Sequence, residues 1–148
     1  MIDVTFSGRV PSFFTRDLAV KVLEETFRGA KQKVKGAVSL VFLSQPEIQK
    51  LNRKWRKINR PTDVLSFAPT EDGGSLTGPE RVWGDLFLAP AYIRHEAESR
   101  KITFEEELLR NVVHGMLHLF GYDHATPVDE SRMFGIQERV IRKMIQYV

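Results

Sequence analysis

The sequence predicts a single α+β domain, in which a mixed sheet of about four strands packs with about five helices. The chain has 148 residues, 42% of them hydrophobic, which suffices for one buried core and makes a second domain unexpected. Short β-rich apolar runs alternate along the chain with longer segments of helical periodicity, and several of these segments open on capping residues. We therefore expect residues 1–148 to form one domain.

The first half of the chain predicts two strands and two helices. Leu18, Val22 and Phe27 recur along a helical stripe, whereas AVSLVFL is a short β-rich run suited to a buried strand. Ser44 stands three residues before Glu47, with a proline in the first turn, a capping-box pattern that starts a helix. These elements are strands at 2–6 and 37–43 and helices at 15–27 and 46–57.

The second half predicts two more strands and three helices. Thr103 and Glu106 form a second capping-box pattern, and Gly121 ends the helix that follows, as a left-handed residue beyond the last turn would. A Thr-Pro pair at 126–127 opens the last amphipathic helix. The elements are strands at 64–69 and 81–89, a glycine-rich polar loop at 71–79, and helices at 91–101, 105–120 and 126–148.

The composition excludes several classes of protein. The chain contains no cysteine, so it forms no disulfide, and any metal must be held by His, Asp or Glu. No run approaches the ~18 apolar residues of a membrane helix, and the N-terminus lacks the plan of a signal peptide. We expect a cytoplasmic protein without membrane association.

The basic residues are concentrated in one stretch. Residues 28–60 contain ten Lys or Arg and one acid, Glu47, a net charge of +9, so the rest of the chain carries −6. Such a block is typical of a face that binds a polyanion such as nucleic acid. A solvated surface without a partner is the alternative interpretation.

The segment HGMLHLFGYDH holds three of the four histidines of the chain. His114 and His118 share one face of a helix, and Gly121 lets the chain turn so that His124 approaches the same point. Three imidazoles with a fourth position left for water are typical of catalytic zinc, although nickel or copper are alternatives. His95 is expected to be an ordinary surface residue.

The histidine spacing matches the metzincin signature His-Glu-x-x-His-x-x-Gly-x-x-His except at Gly115, where that signature places its general base. Glycine cannot deprotonate a zinc-bound water. An RNA phosphodiester becomes the better candidate substrate, because zinc and a nearby guanidinium can neutralise charge on a phosphate.

Two stretches, LNRKWRKINRPTDVLSF and HGMLHLFGYDH, together resemble the YbeY family of metal-dependent endoribonucleases, and the similarity extends through Asp85, Met133 and Glu138. The resemblance implies a zinc-dependent, single-strand-specific endoribonuclease in ribosomal RNA processing and ribosome maturation or quality control. It implies ribosomal RNA, the small ribosomal subunit and ribosome-associated proteins as partners.

The resemblance also implies site residues. One Zn²⁺ per chain would be held by the three histidines, Arg56 would contact substrate in the adjacent cleft, and PTDVLSF would line that cleft. The role of Asp85 stays open between a water-positioning base, a partner of a histidine and a strand-end acid. Trp55 is expected to pack in its helix, with a base-stacking platform as the alternative. The candidate catalytic residues are Arg56, His114 and Asp85, the candidate RNA-binding residues are Lys54, Arg56, Lys57, Arg60 and Ser66, and the candidate metal ligands are His114, His118 and His124.

Two other functions compete with the nuclease. A metallopeptidase-like hydrolase would need a base from outside the histidine motif. A noncatalytic ribosome assembly factor would use the metal only to stabilise its fold.

Overall fold

A computed structural model describes residues 2–33, 36–69 and 82–148 of the chain. It confirms the predicted fold class, a mixed four-stranded sheet packed with five helices. The elements are β1 (Asp3–Gly8), α1 (Arg16–Gly29), β2 (Ala37–Phe42), α2 (Gln45–Leu51), a π turn (Asn52–Arg56), β3 (Val64–Phe67), β4 (Val82–Leu88), α3 (Pro90–Arg100), α4 (Phe104–Leu119), α5 (Pro127–Met144) and a 3-10 turn (Ile145–Tyr147).

The sheet has the strand order β1-β2-β4-β3. Strand β2 lies parallel to both β1 and β4, whereas β3 pairs antiparallel with β4 at the edge. In that last pair Ser66 lies opposite Leu86, and Phe67 lies opposite Asp85. Because successive side chains of a strand point to opposite faces, this register decides which residues of β3 and β4 face the helices.

The larger core lies between the sheet and helices α1, α4 and α5. Helix α4 is central and buries side chains along its whole length, while Met133 of α5 is fully buried beside it. Met133, which was part of the family resemblance, is therefore a core residue. The fully buried side chains of α4 are Leu108, Leu109, Val112, Val113, Met116 and Leu117.

A smaller core lies where α2 meets β3. Ile48 of α2 is fully buried and packs with Leu65 and Ala89, and Leu51, Phe67 and Phe87 lie around them. The π turn that continues α2 therefore lies beside the edge strand of the sheet.

The predicted helix at 46–57 is divided between α2 and the π turn. Asn52 is 4% exposed, and its side-chain amide donates to the carbonyl of Arg60 at 2.9 Å. Lys57 ends the turn in the left-handed conformation with φ +62°. A wider turn brings the carbonyl of Asn52 within reach of the amide of Ile58, so the chain leaves the helix earlier than its periodicity indicates.

Four helices begin at a hydroxyl-bearing cap residue, three of them at the predicted positions 44, 103 and 126. The hydroxyls of Thr15, Ser44, Thr103 and Thr126 each accept from the amide three residues on. The Ser44 box is reciprocal. At Thr103 the bond to the amide of Glu106 forms, but the Glu106 carboxylate pairs with Arg110 at 3.0 Å, because both lie one turn apart on α4.

One further difference concerns the end of the last helix. The last helix was predicted to run to Val148, but α5 ends at Met144 and a 3-10 turn follows. The polar loop predicted at 71–79 and the first residue of the strand predicted at 81–89 lie outside the described residues. Within the described ranges, no helix has both the length and the apolar character that crossing a membrane requires.

Candidate metal centre

Two of the predicted metal ligands lie one turn apart on α4. His114 and His118 share one face of the helix, and their Nε2 atoms are 3.0 Å apart. The ring centroid of His124 lies 5.2 Å from that of His114 and 4.9 Å from that of His118. One ligand atom from each of the three residues lies within 4.8 Å of the other two. The structure brings together the histidines that the spacing indicated.

The turn that returns the chain to His124 is a Schellman motif. Gly121 follows α4 with φ +102°, in the left-handed region that favours glycine. Its amide donates to the carbonyl of His118 at 3.0 Å, and the amide of Tyr122 donates to the carbonyl of Leu117 at 3.1 Å. These two bonds define the motif, and the predicted helix end at Gly121 is confirmed.

The same turn orients the ring of His118. Its Nδ1 atom lies 2.9 Å from the carbonyl oxygen of Tyr122. A carbonyl oxygen only accepts, so Nδ1 carries the proton and donates it to this bond. The Nε2 atom of His118 therefore keeps its lone pair, as a metal ligand requires.

A chain of polar contacts orients His114 from α5. Its Nδ1 atom lies 2.8 Å from Oε1 of Gln137, and Nε2 of Gln137 donates to Glu138 at 3.0 Å. The Arg110 guanidinium donates twice to the Glu138 carboxylate, each time at 2.9 Å, and this contact lowers the pKa of Glu138. An ionised carboxylate only accepts, so the amide nitrogen of Gln137 faces it and the amide oxygen faces His114. His114 accordingly donates from Nδ1 and presents an unprotonated Nε2.

The two Nε2 atoms thus face each other as acceptors. Burial is the main cause that lowers the pKa of both His114 and His118, so both rings are neutral at neutral pH. Two lone pairs at this separation repel unless a cation lies between them. Neutral imidazole nitrogens are suitable zinc ligands, so the donor set fits a zinc-type ion held by His114, His118 and His124.

Gly115 lies where α4 comes closest to the sheet. A Cβ atom built on it would stand 3.0 Å from Cδ2 of Leu86, 3.2 Å from Oγ of Ser66 and 3.2 Å from Cγ2 of Val64. The Ser66 hydroxyl also donates to the Gly115 carbonyl at 3.0 Å. At the position that holds the base in metzincins, a side chain would therefore crowd side chains of β3 and β4.

His114 and His118 open into a cleft of about 530 Å³. One wall includes residues 63–66 of the segment PTDVLSF, and the other is formed by α4. Arg56 stands at its rim. The residues that matter for the chemistry of this cleft are Arg56, Asp63, Ser66, His114 and His118.

Arg56 reaches this cleft from the opposite side of the sheet. It lies at the end of the π turn, and its side chain passes the edge strand β3. The guanidinium donates from Nη2 to the carbonyl of Ser66 at 2.8 Å and lies 4.6 Å from the ring centroid of Phe67. A guanidinium has five N–H donors, so these contacts hold Arg56 in place and leave donors for a phosphate.

The other basic candidates lie on the surface outside the cleft. Lys54, Lys57 and Arg60 are all exposed, and Nζ of Lys57 donates to the carbonyl of Lys54 at 3.3 Å. Of the four basic candidates, Arg56 is the one found among the described residues that line the cleft. The other three can contribute charge to the approach of an anion, and their RNA-binding role stays a prediction.

Asp85 does not join the cleft. Leu86 of β4 packs against Gly115 on the α4 side of the sheet, so the neighbouring Asp85 points to the opposite face. There it lies beside its strand partner Phe67 and is exposed. The structure separates Asp85 from the histidines, and its predicted catalytic role gains no support.

Two residues of the site were not among the predicted site residues. Asp63 lines the cleft, with Oδ1 accepting from the amide of Val64 at 2.7 Å. Gln137 orients His114, and it is 4% exposed. The sequence pattern that could have indicated Gln137 is a polar residue within the apolar stripe of the last helix, between Ile136 and Val140.

The sheet and the histidine cleft define an α+β protein with a three-imidazole metal-type centre. The family model described as Endoribonuclease YbeY matches residues 5–145. A relative from Sulfurihydrogenibium sp. (strain YO3AOP1) is 33% identical over 94% of this chain and 87% of its own length. Another, from Lacticaseibacillus casei (strain BL23), is 38% identical over 84% of each chain, and both are named Endoribonuclease YbeY. The chain belongs to the YbeY family.

The fold agrees with an experimental structure. A solution structure of a protein from Thermotoga maritima superposes with a TM-score of 0.62 and 29% identity, and the match covers 95% of this chain and 88% of that protein.

Proposed function

We propose that this protein is a zinc-dependent endoribonuclease that cleaves single-stranded RNA, with ribosomal RNA as its substrate during ribosome maturation. The observation that carries the proposal is a cluster of three imidazoles, two of which line one cleft together with an arginine. Membership of a family named for endoribonuclease activity supports it. The small ribosomal subunit and its associated proteins are the partners that this substrate suggests.

The roles of the residues follow from their contacts. His114, His118 and His124 would hold the ion, which when bound supplies a Lewis acid that polarises a phosphoryl oxygen. Arg56 would bind the phosphate and neutralise its developing charge, because its stack on Phe67 and its bond to Ser66 fix its position before substrate arrives. Asp63 lines the same cleft.

The structure weighs against the peptidase alternative. A peptidase of the metzincin type needs a glutamate next to the first histidine, and the sheet occupies that space at Gly115. The noncatalytic alternative accounts for a metal but not for an arginine held at the rim of an open cleft.

The proposal is tested by removing and restoring the metal. The protein is treated with a chelator, dialysed, and reconstituted with zinc, and each form is incubated with an end-labelled single-stranded fragment of ribosomal RNA and with a duplex of the same sequence. We expect cleavage of the single strand, its loss on chelation, and its return with zinc. Cleavage that survives verified metal removal would contradict the proposal, and folded, zinc-loaded protein without any cleavage would favour the assembly factor.

A further inference from the structure

Trp55 was expected to pack within its helix, and the structure corrects this expectation. Its side chain is 56% exposed, and the neighbouring Ile58 is 42% exposed. Both lie on or next to the π turn, and the wide turn directs the indole outward from the small core formed by α2 and β3. A large aromatic ring left in water needs an explanation, because burying it would stabilise the fold.

The indole is held in place although it is exposed. Its ring centroid lies 6.3 Å from that of Phe67 with the planes inclined at 70°, an edge-to-face contact. The backbone beneath it is fixed by the buried Asn52, whose side chain donates to the Arg60 carbonyl, and by the left-handed Lys57. A ring held in this way loses little further freedom when a planar ligand stacks on it.

The charges around Trp55 favour an anionic ligand. Arg53, Lys54, Arg56 and Lys57 are its basic neighbours in the chain, and Nζ of Lys54 lies 5.1 Å from the indole centroid. Aromatic rings set among basic side chains are the surface on which proteins stack the bases of single-stranded nucleic acids.

Trp55 is also adjacent to the cleft. Phe67 contacts both the indole and the Arg56 guanidinium, which lies 4.6 Å from its ring centroid. A strand with one base on Trp55 would bring a neighbouring phosphate to Arg56. The arginine that we assign to the phosphate and the exposed indole therefore form one continuous surface.

We propose that Trp55 is a stacking platform for an unpaired base of the RNA substrate, next to the phosphate bound by Arg56. This inference rests on the proposed nuclease function and deepens it, because a base that is paired and stacked in a duplex is not free to lie on the indole. The platform thus contributes to the selection of single strands.

The test measures binding without cleavage. Two short fluorescent single strands of equal length are titrated with zinc-loaded protein: an oligothymidylate and an abasic deoxyribose strand that has the same phosphates but no bases. The variants are Trp55→Leu, which keeps an apolar side chain beside Phe67, and Trp55→Tyr, which keeps an aromatic ring. Tyr147→Leu is the matched control, because Tyr147 is a 51% exposed aromatic residue with Lys21 over its ring at 4.6 Å.

We expect Trp55→Leu to weaken oligothymidylate binding by about 5- to 150-fold, the range that loss of one base-stacking contact represents. Binding of the abasic strand should not change, Trp55→Tyr should recover most of the affinity, and Tyr147→Leu should bind as the wild type. Equal affinity of Trp55→Leu and wild type for oligothymidylate would overturn the platform, as would equal losses on both strands.

Anionic lipid is the other surface that an exposed tryptophan among lysines can meet. Co-sedimentation with phosphatidylserine vesicles tests it in parallel. Vesicle binding that depends on Trp55, with oligothymidylate binding unchanged, would overturn the proposal in favour of a membrane contact. Cleavage of ribosomal RNA by the same preparations separates the two proposals. If the wild type cleaves but Trp55→Leu binds oligothymidylate as the wild type does, only the stacking platform is contradicted. If the wild type does not cleave, the result counts against the nuclease.

Discussion

At the scale of single residues, the hydrogen-bond partners of His114 and His118 determine what their rings can do. Each Nδ1 donates to an oxygen that only accepts in this geometry, the Gln137 amide oxygen for one ring and the Tyr122 carbonyl for the other. Each Nε2 therefore keeps its lone pair, as a metal ligand requires.

The first prediction concerns the ligands themselves. His118→Ala should lower bound zinc from about one ion per chain toward none, because two imidazoles hold zinc far less tightly than three. His95→Ala is the matched control, since His95 is the fourth histidine and is exposed on α3. Metal analysis of the purified proteins checks this, and equal zinc contents in the two variants would argue against the histidine site.

The second prediction concerns Gln137. Gln137→Leu preserves the volume of a buried side chain but removes the acceptor for Nδ1 of His114, so zinc affinity should fall about 10- to 100-fold. Competition with a chromophoric chelator measures it. Gln146→Leu, at an exposed position near the end of the chain, should leave the affinity unchanged. A Gln137→Leu protein that binds zinc as tightly as wild type would show that this contact does not orient the ring.

At the scale of elements, the approach of α4 to the sheet and the turn after α4 define the site. The close approach depends on Gly115, and the turn depends on Gly121. Neither glycine contributes a side chain to the chemistry, yet each sets where the histidines stand.

The third prediction tests the close approach. Gly115→Glu should destabilise the fold by more than about 3 kcal/mol, because the side chain overpacks the sheet and buries a charge. Gly135→Glu is the control, since Gly135 is also helical but nothing lies within 4 Å of its Cβ position. Urea unfolding measures both. A stable Gly115→Glu protein would contradict the packing, and one that also hydrolysed peptides would restore the peptidase alternative.

The fourth prediction tests the turn. Gly121→Ala should lower the free energy of unfolding by about 1 to 2 kcal/mol, since alanine is strained in the left-handed region. Its Cβ would meet nothing within 4 Å, so backbone strain is the only expected cause. Asparagine tolerates this conformation better, so Gly121→Asn should lose less. Equal stability of Gly121→Ala and wild type in urea would show that the turn relaxes.

At the scale of the whole molecule, local features of the sequence were predicted well. The histidine spacing, the glycine after α4 and the capping residues act over a few residues, and the strands and helices appear in the predicted order. The YbeY resemblance, carried by two short motifs, is confirmed over most of the chain.

Features that depend on strand order and register were not predicted. Asp85 and Leu86 are neighbours, but only the pairing of β4 with β3 decides that Leu86 faces α4 and Asp85 faces away. Trp55 was assigned to a continuous helix, and the π turn redirected it. Likewise, the described bases at 28–60 form two groups, one at the end of α1 and just after it, and the other from Lys50 on α2 to Arg60.

The most direct test of the central claim, that the histidines and Arg56 form one RNA-cleaving centre, is the single-turnover cleavage rate of a single-stranded ribosomal RNA fragment. Arg56→Ala should retain zinc but cleave about 10²- to 10³-fold more slowly, as the loss of one transition-state donor does, whereas His118→Ala should lose both zinc and cleavage. His95→Ala and Arg139→Ala, changed at exposed positions, should cleave within a few-fold of wild type. Equal rates for all five proteins would contradict the claim and identify a contaminating nuclease.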